Sequence, residues 1–224
     1  MTVLDLEQLS VREINYALHH RDSMESVTLV NPGGAHNLAV GLDWPGEVEI
    51  RGHAGYFVGG MNKQATITVH GSVASSVAEN MMSGLVRVRG NASQCAGASM
   101  HGGLLVVEGD AAARCGISLK GGDVVVGGRV GHASGFMAQA GRIVVCGDAG
   151  ASLGDSLYEA VIYVGGGIKS LGADAQEEEM TEADVVVVRA LLAKAGLAED
   201  PARFRRVASA RTLYHWNADA QQEY

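Results

Sequence analysis

The chain has 224 residues, enough for one large domain or two small ones. Glycine supplies 31 of them and proline only 3, and the glycine is periodic, which excludes the disorder that so glycine-rich a composition otherwise signals. A formal net charge of −8, with no basic stripe, excludes a general nucleic-acid or anionic-membrane binder.

Residues 1–28 read as a helical N-terminal cap. Ser10 and Glu13 have capping-box spacing, and Val11, Ile14 and Leu18 fall near helical spacing. The segment either closes one end of the fold or grips another protein. No signal pattern precedes it, and no apolar run in the chain approaches the ~18–20 residues of a membrane span. The three cysteines, 95, 115 and 146, form no Cys-x-x-Cys pair. A reduced, soluble, cytoplasmic setting is expected.

Residues 29–172 are a repeat. Gly33, Gly52, Gly71, Gly90, Gly109, Gly128, Gly147 and Gly166 follow one another at intervals of nineteen. Two residues before the glycine stand Ile50, Val69, Val88, Val107, Val126, Val145 and Val164; four before it stand Val48, Ile67, Val86, Leu105, Val124, Ile143 and Ile162. Alternation at a period of two predicts one short strand per repeat. Two further small-residue columns, Gly59 to Gly154 and Ala65 to Ala160, mark bends or close backbone approaches. Between them runs an apolar column of Met81, Met100, Leu119, Ala138 and Leu157, with Asn62 as its polar exception. A fixed period near twenty is the signature of a solenoid. Rungs stacked at about 4.8 Å would make a rod of roughly 35–40 Å. There is no hexapeptide period, as left-handed coils require, and no Gly-Gly-x-Gly-x-Asp calcium repeat. The expected fold is an all-β solenoid, a right-handed parallel β-helix with short helical extensions.

The outward positions of the strand column begin polar, at Glu49, Thr68 and Arg87, and turn apolar at Val106, Val125, Val144 and Tyr163. Strands buried on both faces read as continuous apolar runs, so the later half of this side should be covered, by the tail or by a partner. Residues 173–224 form that helical and extended tail. Thr181 to Asp184 is a capping-type start; Val185, Val188, Leu192 and Ala195 share a helical face, and Gly196 ends it. Asp200-Pro201 opens a second short turn. The aromatic segment through Tyr214 and Trp216 should be docked on the coil or a partner.

A search for chemistry finds a scaffold. Gly165 to Ser170 lacks P-loop spacing, and no nucleophile–base pair or acid–base dyad stands out. The cysteines fall in different columns, so neither a catalytic nor a metal site is assigned to this chain. His101 and Lys120, with Met82 and Gln139, form a ridge that is either solvated or a partner-contact stripe. Asn80, with Asn91, Ser93, Gln94 and Arg114, is read as a polar patch or buried asparagine ladder. Asn80, Arg114, Arg211, Tyr214 and Trp216 are the candidate interface or tunnel residues.

Gly52-His53-Ala54-Gly55-Tyr56-Phe57-Val58-Gly59-Gly60-Met61 and its echoes resemble the GXGXG-repeat domain, the right-handed β-helix at the C-terminus of the large subunit of glutamate synthase. Related domains occur in a subunit of formylmethanofuran dehydrogenase. Asn62 to Ala65, Ala78 to Gly84, Gly109 to Gly116 and Ser209 to His215 resemble more specifically the β-helix subunits of N-methylglutamate synthases. Gly59-Gly60-Met61-Asn62 replaces the Gly-Lys-Gly-Leu pattern usual in glutamate synthase, which suits the specialised version. The resemblance implies a non-catalytic subunit of a hetero-oligomer. A glutamine-amidotransferase-like subunit and an FMN-binding, iron–sulfur subunit would carry the chemistry, methylamine plus L-glutamate giving N-methyl-L-glutamate and ammonia. It implies no cofactor on this chain. An ordinary glutamate synthase or a formylmethanofuran dehydrogenase subunit is the alternative.

Overall fold

A computed structural model describes residues 2–20 and 26–212. The apolar-x-apolar-x-Gly motif forms one strand per turn of a parallel β-solenoid. The strands are β1 (Thr2–Asp5), β2 (Val27–Val30), β3 (Glu47–Arg51), β4 (Thr66–Val69), β5 (Leu85–Val88), β6 (Leu104–Val107), β7 (Lys120–Val126), β8 (Ala140–Val145) and β9 (Val161–Val164). Each is parallel to the next. From β3 to β9 the register advances by the sequence period, so Val48, Ile67, Val86, Leu105, Val124, Ile143 and Ile162 lie side by side. All are buried, and Asn62, Met81, Met100, Leu119, Ala138 and Leu157 face them across the coil. Buried Asn62 is satisfied there: its amide nitrogen donates to Ala65 O (2.8 Å) and Ser83 O (3.2 Å), and its oxygen accepts from Ala65 N (3.2 Å).

Along the glycine column the rungs approach too closely for a side chain. Gly90, Gly109, Gly128, Gly147 and Gly166 each donate their N–H to the glycine one rung back, at 2.8–3.1 Å. A Cβ at Gly147 would lie 2.8 Å from the carbonyl carbon and oxygen of Gly128 and 3.0 Å from Arg129 N, all backbone atoms. Gly33 is the correction. Val27 pairs with Val48, a step of twenty-one, so the first coil carries two extra residues before its turn. Gly52 sits over Pro32 instead, and Gly33 stands outside the stacked column.

Beyond the glycine, every second residue of the turn takes positive φ. Arg114 (φ 60), Gly116 (φ 68) and Ser118 (φ 52) show the pattern. It aims successive N–H groups alternately ahead and behind: Arg114 N to His132 O (2.9 Å), Gly116 N to Ala96 O (2.8 Å), Ser118 N to Phe136 O (2.8 Å). Left-handed backbone costs about 1–2 kcal/mol at a non-glycine residue, and these inter-rung bonds offset it.

Both ends are closed. At the first, α1 (Val11–His19) starts with the Ser10–Glu13 capping box and buries Ile14 and Leu18 in the solenoid core. Trp44 Nε1 donates to Leu18 O (2.9 Å), and β1, a strand the N-terminal pattern did not announce, pairs with β2. At the other end, β10 (Ala175–Glu178) and β11 (Arg205–Ser209) run antiparallel, with β11 on β9 and β10 outermost. Charge on that outer strand protects an edge.

Between them α2 (Glu182–Ala195) lies on the outer side of the later strands. Val188, Leu191, Leu192 and Ala195 pack with Val106, Val125, Val144, Tyr163 and Phe204. Helix wins over strand for the run of valines because only Val188 need be fully buried, while Val186 faces solvent. Gly196 (φ 71) ends α2. Arg87, the last polar outward residue, donates to the terminal carbonyls of Ala195 (2.8 Å) and Lys194 (3.2 Å). Tyr163 donates to Asp184 at 2.6 Å. Burial pushes the Asp184 carboxyl up, but the Thr181 and Tyr163 hydroxyls and the Thr181 N–H outweigh it and hold the group below its ordinary value.

Two outcomes are expected. Gly147→Ala should cost about 1–3 kcal/mol through backbone overlap, read as a lower thermal midpoint by circular dichroism. Because Asp184 is held low, its contribution is present above the usual carboxylate range and is lost as pH falls through the lowered value. Asp184→Ala should therefore reduce denaturant stability near neutral pH, and its difference from the wild type should shrink as pH falls through the lowered value.

Candidate interaction surfaces

The solenoid presents three sides. On the strand side, α2 covers the later rungs. The corner after the glycine carries one polar residue per rung: His53, Ser72, Asn91, Asp110, Arg129 and Asp148. The turn side carries the residues of alternating handedness.

Asn80 and Arg114 both lie on the turn side but do not meet. Asn80 (φ 55) is half-buried, with its N–H on Ala98 O at 2.9 Å. The expected buried ladder through Asn80 is corrected: the polar ladder runs along the corner, where Ser72 Oγ accepts from Asn91 N (3.0 Å) and Asn91 Oδ1 from Asp110 N (2.8 Å). A side chain one residue past a close-packed glycine is near the next rung's N–H, whereas the turn N–H groups already have backbone partners. The signal is present in the sequence as the polar residue after each glycine.

Arg114 is exposed and lines a hollow of about 180 Å³ with His132, Phe136, Ser152 and Asp155. Arg211 lies at the far end, paired with Glu159 at 3.2 Å beside Gln176, Glu178 and Arg206. Tyr214 and Trp216 lie outside the described residues. The ridge of His101, Lys120, Met82 and Gln139 is exposed. The turn side also holds Tyr56 (46% exposed), Met61 (45%), Met82 (47%) and Met137 (37%), most of the large exposed apolar side chains of the coil itself.

The site chemistry is sparse. Among the described residues no three His, Cys, Asp or Glu side chains cluster in a way that would hold a metal ion. Burial pushes the Cys115 thiol up to about 12, with Cys95 adding to it. Burial, reinforced by the Glu199 charge, pushes Cys146 up to about 11. Cys95 is half-exposed. No helix among the described residues is long and apolar enough to cross a membrane.

No family model matches the chain. Over 228 residues, covering 100% of both sequences, it is 57% identical to Protein GlxC of Rhizobium meliloti (strain 1021). The chain belongs to the GlxC family. Identity of that extent over the full length carries the solenoid, its caps and its covering helix to the GlxC protein as a common fold.

Under native conditions at about pH 8, iodoacetamide should label Cys95 alone, because thiolate is the reactive form and the other two thiols are buried. Peptide mass mapping reads this directly. All three should react after unfolding in guanidinium.

Proposed function

We propose that this protein is the non-catalytic β-solenoid subunit of a glutamate-synthase-like complex of the N-methylglutamate synthase type. In that complex a glutamine-amidotransferase-like subunit and an FMN-binding, iron–sulfur subunit would convert methylamine and L-glutamate into N-methyl-L-glutamate and ammonia. The observation that carries the reading is the glycine column, in which the GXGXG register recurs as one stacked glycine per rung. The donor set of this chain supports leaving the cofactors to the partner. Two of its three cysteines are buried and the third faces outward from a different column, so they do not fit an iron–sulfur cluster.

The contribution of such a subunit is mechanical. Every rung is tied to both neighbours, so the rod is stiff over about 35 Å. A stiff rod holds two partner sites at a fixed separation and turns transfer of a small amine between them into a local event. The apolar turn side supplies a face for one partner, and Arg114 lies on it.

Mild affinity purification from native cells tests the assignment. The expected result is a yellow-brown complex with an amidotransferase-like chain and a flavin- and iron–sulfur-bearing chain, more active with methylamine than with ammonia. A colourless chain recovered alone at low salt would remove the assignment. A complex preferring ammonia would move it to ordinary glutamate synthase.

A further inference from the structure

The polar ladder along the corner contains one interruption that the rest of its pattern makes conspicuous. Ser72 N donates to His53 Nδ1 (2.9 Å), Asn91 N to Ser72 Oγ (3.0 Å), Asp110 N to Asn91 Oδ1 (2.8 Å) and Arg129 N to Asp110 Oδ1 (2.9 Å). The same bond resumes later, from Gly167 N to Asp148 Oδ1 at 2.6 Å. At the rung between, the residue in the acceptor position is Arg129. A guanidinium has donors only. It turns back instead, with Nε 3.0 Å from Asp110 Oδ2. The Asp148 N–H is thereby left without a hydrogen-bond partner among the described residues.

An N–H without an acceptor and a side chain with donors only therefore stand on successive rungs, where every adjoining rung pairs a donor with an acceptor. The terminal amino groups of Arg129 also make no bond among the described residues, and its side chain is 74% exposed. Arg129 and Asp148 line the same hollow of about 370 Å³, together with Lys169 from the next rung and the apolar Val130, Ala149 and Ile168. One carboxylate, Asp148, lines it; Asp110 lines the neighbouring hollow, which shares Arg129. Asp110 is occupied by the Arg129 N–H and guanidinium, which hold it below its ordinary pKa, and one oxygen of Asp148 is held by Gly167 N.

We propose that this hollow binds a small carboxylate anion. One oxygen accepts the Asp148 N–H, taking the place that a side-chain oxygen takes on neighbouring rungs. The other pairs with the Arg129 guanidinium, whose planar fork suits a carboxylate. Lys169 adds a second positive charge. The site is independent of the proposed role in a complex, because every group in it belongs to this chain.

The test uses the full-length ¹⁵N-labelled protein and acetate as the probe, titrated against chloride at constant ionic strength. The Asp148 amide resonance should move saturably in acetate and stay in place in chloride. Arg129→Asn supplies the missing acceptor, as Asn91 does for Asp110. It should raise the thermal midpoint by a few degrees and abolish the acetate response. Arg129→Lys, which keeps the charge without the fork, should fold normally and weaken the response several-fold. A linear, non-saturating drift of Asp148 in the wild type would overturn the proposal. So would an equal acetate response in wild type and Arg129→Asn, or, if that variant does not fold, in wild type and Arg129→Lys.

Discussion

The constraint repeated on every later rung is glycine stacked on glycine. From Gly90 onward each glycine of the column donates its N–H to the glycine one rung back, at a separation that leaves no room for a Cβ. That contact fixes the height of the rung. Once it is fixed, the apolar residues two and four places earlier must pair in register, and the next polar residue must fall beside an N–H of the adjoining rung. The parallel sheet, the inward apolar columns and the polar ladder all derive from one repeated backbone approach. The repeat tolerates varied side chains elsewhere because this contact involves none.

The turn side holds its shape by a second device. Residues of alternating handedness send their N–H groups to both neighbours, so a segment with no regular strand is still tied to the rungs above and below. This explains how residue types as different as Phe57, Ser76, Cys95 and Arg114 occupy one left-handed column. Backbone bonds set their conformation, and their side chains are released to face outward. A surface with a fixed backbone and free choice of side chain is well suited to recognition, which is the use proposed for it.

Much of this architecture is legible in the sequence. The glycine interval marks the rung, the Met81-to-Leu157 column marks the far wall of the core, and the shift from Arg87 to Val106 marks where α2 lies. Both capping boxes are readable because they need only two residues at fixed spacing. Three features are not. Positive φ at non-glycine residues leaves no compositional trace when inter-rung bonds compensate for it. The slip at Gly33 is hidden because its spacing to Gly52 is regular while the strand before it is displaced. β10 and β11 carry charged, short patterns whose pairing depends on a partner strand distant in sequence. The ladder past the glycines is different again: its residues are visible in the sequence, but Asn80 and its neighbours point to the wrong column, because composition alone does not say which N–H groups already have backbone partners.

The bond from Arg87 to the end of α2 joins residues 108 apart, while the rungs it fastens are built from neighbours nineteen apart. Rungs of this kind can assemble progressively as the chain lengthens. The outward valines of β6 to β8 are then complete before the helix that shields them has been made. A coil formed ahead of α2 would carry a bare apolar flank, the kind of surface that promotes aggregation. α2 is the latch that closes it, and it comes after the whole coil in the chain.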